Sequence, residues 1–296
     1  MALVAAVVPV RPHVLFGGVQ SDVLHTAHVS VYFETSLDAE AQDVVAMYPD
    51  VKDELEIRVG WHLDYRPTVV LIRTSETFQK MIGSNLFVAV AVPQKRLIVI
   101  DHSKMTTRPF TLRTTLKHEL CHLLLHRHIR EGALPKWLDE GVAQWTSDGM
   151  AEIVMGRSRA ILERAALTGH YIPLQNLEDF FPRTETALLL AYEESKSVVE
   201  YIIQKFGEER LMRVIGHLRE GHDINEALER SLRLSVYELE DQWRAHLKGR
   251  VSWLAVLSAY LYEILFFIAA ILAVLGSIKL LRRRRAYNSY VDYDDD

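Results

Sequence analysis

The stretch from Leu116 to Leu125, LKHELCHLLL, sets the tightest limit on how this chain can fold. Leucines at 116, 120, 123 and 124 mark a helix built for an interior. The same turns carry His118, Glu119 and His122, ionisable groups that a dry core excludes unless something satisfies them. At about 3.6 residues per turn, positions four apart sit one above the other. Both imidazoles can then reach a single Zn2+ at about 2.0–2.1 Å. The glutamate beside the first histidine lies next to the metal without occupying it, where it can take a proton from a water. The polar residues are tolerable in such a helix because a metal and a water satisfy them.

A zinc site of this kind needs a third protein ligand, and two residues compete for the place. Glu140 lies in LPKWLDEGVA, residues 134 to 143. Gly132 is expected to end the preceding helix and Pro135 to open the next, giving a helical hairpin through REGALP. From His122 to Arg130 the first helix advances about 12 Å, and from Pro135 to Glu140 the second returns about 7 Å. The short loop covers the rest, so Glu140 comes back near the histidines. The small residues Gly141 and Ala143 would let the two helices approach closely. The rival is His128, six residues after His122, a spacing that serves a metal when a glycine turns the helix between them. Here Leu125 occupies that place, the helix continues, and His128 points roughly 240° round from His122. His126 is on the correct face but one turn too far along. Both are expected to be surface or interface histidines.

The pair of segments HELCH and LPKWLDEGVAQW resembles the gluzincin zinc peptidases, the group that includes thermolysin and the aminopeptidase N family, with the W-L-x-E-G-x-A form nearest the aminopeptidase N side. The resemblance spans roughly residues 85–206. It implies His118, His122 and Glu140 as the zinc ligands, one zinc per chain, and Glu119 as general base. It also points to Tyr192, in AYEESKSVVEY, as a phenol that donates to the developing oxyanion. Aminopeptidases of the group carry a glutamate on an edge strand that anchors the substrate's free amine. The corresponding stretch here, FVAVAVP from Phe87 to Pro93, has no acid. It can pair with an extended peptide backbone, but it offers nothing to an ammonium. Endopeptidase action is therefore expected over aminopeptidase action. Asp139, beside Glu140, either orients a ligand histidine or solvates a helix face. Cys121 is expected to be a small buried hydrophobe.

The rest of the chain supplies context. Thr26–Glu34 and Pro67–Arg73 read as strands, as do Leu86–Val92 and Arg96–Asp101 on either side of a turn. Leu37–Trp61 has helical spacing that Pro49 interrupts, and Thr74–Ile82 reads as a short capped helix. From Thr111 onward the pattern is helical. Strands first and helices afterwards predict an α+β fold, a mixed N-terminal sheet with helices followed by a helical lobe carrying the zinc site.

Of 296 residues, Trp253 to Leu281 form a run with few charges, long enough to cross a bilayer at about 20 residues per span. Arg282–Arg285 follow it directly. The expected division is an apolar tail or signal-like remnant over 1–21, a peptidase domain over 22–248, a transmembrane helix over 253–281 and a basic, then acidic, disordered tail over 282–296. The arginines favour a cytoplasmic C-terminus and an extracytoplasmic domain. A net charge of -5 with no basic stretch before residue 282 argues against nucleic-acid binding. The expected function is a membrane-anchored zinc peptidase acting on peptide or protein substrates. The alternative is an inactive scaffold that keeps the fold.

Overall fold

The structure is a computed structural model that describes residues 14–16, 19–105, 110–147, 158–250 and 261–291. Among them, six strands form one mixed sheet in the order β1-β2-β3-β4-β6-β5. They are β1 Val14–Phe16, β2 Val19–His25, β3 Ser30–Phe33, β4 Thr68–Ile72, β5 Ala89–Val92 and β6 Leu97–Asp101. The three strands β3, β4 and β6 run parallel, while β1 and β2 extend one edge and β5 forms the other, all three antiparallel to their neighbours. Side chains alternate across the sheet. Val31, Phe33, Val69, Leu71, Ile98 and Ile100 face the main core. Val70, Ile72 and Val99 face a smaller cluster with Phe78 of α2, Ser75–Ile82. A register slip of one residue would exchange the two sets.

The main face is covered by α1, Asp38–Val59, and α3, Leu112–His128. Helix α1 runs unbroken through Pro49, where an interruption was expected. Its buried stripe, Val44, Tyr48, Val51 and Leu55, passes Pro49 on the other side. Pro49 is exposed, so the carbonyl its ring leaves without a helical donor can be met by water. The strand expected over Thr26–Glu34 is shorter than its composition suggests. Residues Thr26 to Val29 close a turn in which the Val29 N–H donates to Thr26 Oγ1 at 3.0 Å, and the chain becomes a strand at Ser30.

The helical lobe begins with α3, whose residues from Thr115 to Leu125 are buried without a break. Thr111 caps it by accepting from the Thr114 N–H. Helix α3 ends at His128, before Gly132, which sits in the loop at φ 76°. Pro135 stands just outside α4, Lys136–Thr146, in an extended conformation. There follow α5 Ser158–Thr168, α6 Glu185–Phe206, α7 Glu208–Arg219, α8 Ile224–Leu232 and α9 Val236–Arg250.

Gly141 does not serve the contact between α3 and α4. It faces α6: a Cβ there would lie 2.5 Å from the Ser195 carbonyl oxygen and 2.5 Å from Val199 Cγ2. Backbone cannot give way as a flexible side chain can, so Gly141→Ala is expected to cost about 1–3 kcal/mol through overpacking. The readout is a lower urea midpoint at unchanged slope. An unchanged midpoint would mean that α6 moves aside freely.

Helix α10, Leu261–Val291, carries the apolar run. Its segment Leu261–Arg282 has a mean hydropathy of 2.6 and none of it is buried. It is therefore not a core helix of this fold, and by length and composition it suffices to cross a membrane. The helix continues through the four arginines to Val291, past the point where an unstructured tail was expected. Residues 253–260 and 292–296 lie outside the described residues.

Candidate metal centre

His118 and His122 stand one turn apart on α3, and α4 brings Glu140 back to them. All three are buried, at 2%, 4% and 1% exposure. His118 Nε2 lies 3.2 Å from His122 Nε2, and Glu140 Oε2 lies 3.6 Å and 3.7 Å from those two atoms. A triangle with these edges encloses a point about 2.0 Å from every corner, which matches the roughly 2.0–2.2 Å of Zn–N and Zn–O bonds.

The surrounding hydrogen bonds turn the donor atoms inward. Asp139 Oδ1 accepts from His122 Nδ1 at 2.7 Å. The Ser147 hydroxyl, which donates to the Ala143 carbonyl at 2.7 Å, lies 3.3 Å from His118 Nδ1 and can accept from it. With the proton on each Nδ1, both Nε2 lone pairs face the same small space, an arrangement that repels itself unless a cation sits between them. Lys136 Nζ lies 2.6 Å from Glu140 Oε1, and the Tyr192 hydroxyl donates toward the same oxygen at 3.5 Å. Oε2 is thereby left turned to the imidazoles. Two imidazole nitrogens and one carboxylate oxygen, with a side open to a cavity, suit zinc with a vacant coordination position.

Asp139 organises more than one residue. Its Oδ2 accepts from His126 Nε2 at 3.1 Å. Burial by itself would raise the Asp139 carboxyl, but the nearby Lys136 charge and the hydrogen bonds from the His122 and His126 imidazoles outweigh it and hold the group well below its ordinary value. His126 therefore belongs to the centre's hydrogen-bond network rather than to a bare surface. Its position one turn beyond His122 on the same face was the signal. Lys136, one turn before Glu140, carried a similar signal in its spacing, whereas no pattern marked Ser147. His128 points elsewhere: its Nε2 donates to the His62 carbonyl at 2.8 Å, and its ring packs on Trp61. Cys121 is fully buried, and burial pushes its thiol up to about 12, which leaves it inert.

A cavity of about 550 Å³ opens on the centre. His122, His126, Lys136, Asp139, Glu140 and Tyr192 contribute to its polar wall, and the edge strand β5 lines it through Val90 and Ala91. Tyr192 lies two turns inside α6 rather than at its start, and its ring packs edge-on against Phe181 at 5.0 Å. Glu119 is fully buried and does not contribute to the cavity wall.

A mixed sheet in which, among the described residues, the antiparallel strand β5 stands at one edge, followed by helices that converge two histidines and a glutamate beside that edge, defines a gluzincin-like peptidase fold. A sequence profile of the peptidase MA superfamily matches residues 68–249, and the chain belongs to that superfamily. Among solved structures, a mutant of the M1 zinc metallopeptidase from Deinococcus radiodurans is similar at 16% identity with a TM-score of 0.46. The match covers 76% of this chain and 49% of that one, so the chain spans about half the length of that enzyme. No curated protein sequence matches it significantly.

Proposed function

We propose that the protein is a membrane-anchored zinc endopeptidase whose catalytic domain comprises residues 22–248. The observation that carries this reading is the buried triangle of His118 Nε2, His122 Nε2 and Glu140 Oε2 beside an open edge strand. These three residues would hold Zn2+, which when bound polarises the scissile carbonyl and acidifies water. Glu119, next to His118 on α3, takes the proton of the attacking water and passes it to the leaving amine. Glu119 is fully buried, so a water that reaches its carboxylate would be shielded from bulk solvent. The Tyr192 hydroxyl, already beside Glu140, donates to the oxyanion. Asp139 keeps His122 in the tautomer that presents Nε2.

Strand β5 supplies the substrate platform. Its outer backbone groups can pair with an extended peptide, as at other exposed sheet edges. No acid lies in Phe87–Pro93, so a peptide with a blocked N-terminus loses no contact there. Cleavage of a panel of N-acetylated, C-amidated peptides, abolished by chelator and restored by zinc, tests the reading. Zinc-loaded protein that cleaves no member of a diverse panel would favour the inactive scaffold instead.

Asp139→Asn should weaken zinc affinity by about 10–100-fold, the usual cost of removing a partner of a metal-bound histidine. Competition with a chromophoric chelator measures it, and an unchanged affinity would remove Asp139 from the centre. The orientation follows from charge: Arg282–Arg285 flank one end of the span and favour the cytoplasmic side for the C-terminus. Protease added to intact cells should then digest the zinc domain and spare a C-terminal tag. A protected domain with an accessible tag would reverse the orientation.

A further inference from the structure

A second group of metal-ligating side chains lies where α7 turns into α8, outside the reaction proposed above. Helix α7 closes in a defined way: the His222 N–H donates to the His217 carbonyl at 3.1 Å, and the Gly221 N–H donates to the Leu218 carbonyl at 3.1 Å. Gly221 adopts φ 96°, the left-handed region this closure requires. A helix end of this form brings its first and last residues together, and that pair is commonly apolar. Here it is two histidines, with ring centroids 5.6 Å apart and planes 78° to each other.

Glu220 lies between them. Its Oε2 accepts from His217 Nδ1 at 3.0 Å, a proton that an ion would displace, and lies 3.9 Å from His222 Nε2, and one donor atom from each of the three residues falls within 4.8 Å of the others. Glu226, in the first turn of α8, accepts from His222 Nδ1 at 2.8 Å. That bond keeps the proton on Nδ1 and leaves Nε2 as a lone pair directed at the group, the carboxylate–histidine arrangement common behind metal ligands. The adjacent cation, Arg219, lies over the Trp61 ring. The backbone closure thus sets the two imidazoles in place before any ion arrives.

We propose that this corner is a second metal site, holding a divalent transition ion such as Zn2+ through His217 Nδ1, His222 Nε2 and Glu220 Oε2. Two nitrogens and one carboxylate oxygen favour ions of borderline softness over Mg2+ or Ca2+. Both histidine side chains are 26% exposed and Glu220 is 64% exposed. The remaining coordination positions therefore go to water, and binding is weaker here than at the buried centre. An ion in this place ties the last turn of α7 to the loop that follows it.

The test counts bound zinc in the full-length protein, stripped with chelator and titrated with Zn2+ under equilibrium dialysis. Wild type is expected to bind two ions in two affinity classes. The His217→Ala/His222→Ala variant should lose the weaker class, with affinity there falling more than tenfold, and His118→Ala/His122→Ala should retain it. Glu220→Gln, an exposed and nearly isosteric change, should weaken the same class and guards against misfolding of the double variant. Zinc uptake as in wild type by both the His217→Ala/His222→Ala and the Glu220→Gln proteins would overturn the proposal. That result is independent of whether the central histidines bind an ion or the protein cleaves peptides, because the corner is read by its own class.

Discussion

Glu119→Gln should lower kcat/KM for peptide hydrolysis by about 10²–10⁴-fold, the usual worth of a general base, and leave the zinc at His118, His122 and Glu140 in place. The amide has the size of the acid but cannot accept the proton. Glu119 is fully buried within the stretch of α3, Thr115 to Leu125, that is buried without a break, so an isosteric change keeps packing intact where alanine would open a cavity. Steady-state rates on one cleaved peptide, with zinc measured on the same samples, check it. Wild-type turnover in zinc-loaded Glu119→Gln protein would end the proposed mechanism.

Glu140→Ala should reduce zinc affinity at the central site by more than the roughly 10–100-fold cost of losing a supporting residue, and hydrolysis should fall with it. His128→Ala is the matched control. That imidazole bonds the His62 carbonyl and packs on Trp61, so its removal should cost some stability and no zinc. Metal analysis after dialysis separates the two. Retention of zinc by Glu140→Ala with loss in His128→Ala would invalidate the ligand assignment.

Much of the centre is legible in sequence because it is local. His118 and His122 share a face through helix periodicity alone, and the short loop after α3 limits where Glu140 can go. The order of strands and helices is similarly written in the pattern. What could not be read is tertiary. Gly141 was expected to ease α4 against α3, but small residues do not announce which neighbour they admit, and the close contact is with Ser195 of α6. Pro49 looks like a break unless one knows that its side of α1 faces solvent. Thr26 to Val29 carry the residue types of a strand yet form a turn, because a threonine hydroxyl outcompetes the ladder for the Val29 N–H. The bond from Ser147 to His118 and the approach of Tyr192 to Glu140 depend on how whole helices dock, which periodicity does not contain.

The close seating of Gly141 on α6 bears on how the protein can breathe. The Gln144 side chain donates to the Tyr192 carbonyl at 3.0 Å, one turn beyond the Gly141 contact. Packed surfaces this close shift between discrete arrangements and do not slide gradually. Helices α4 and α6 should therefore travel as one body, carrying Glu140 and Tyr192 together. The triangle and the Asp139–His122 bond tie α3 to the same body, so any widening of the cavity would leave the spacing among the histidines, the glutamate and the phenol constant and fall to the loop residues that line it, such as Gly83, Ser84 and Arg183.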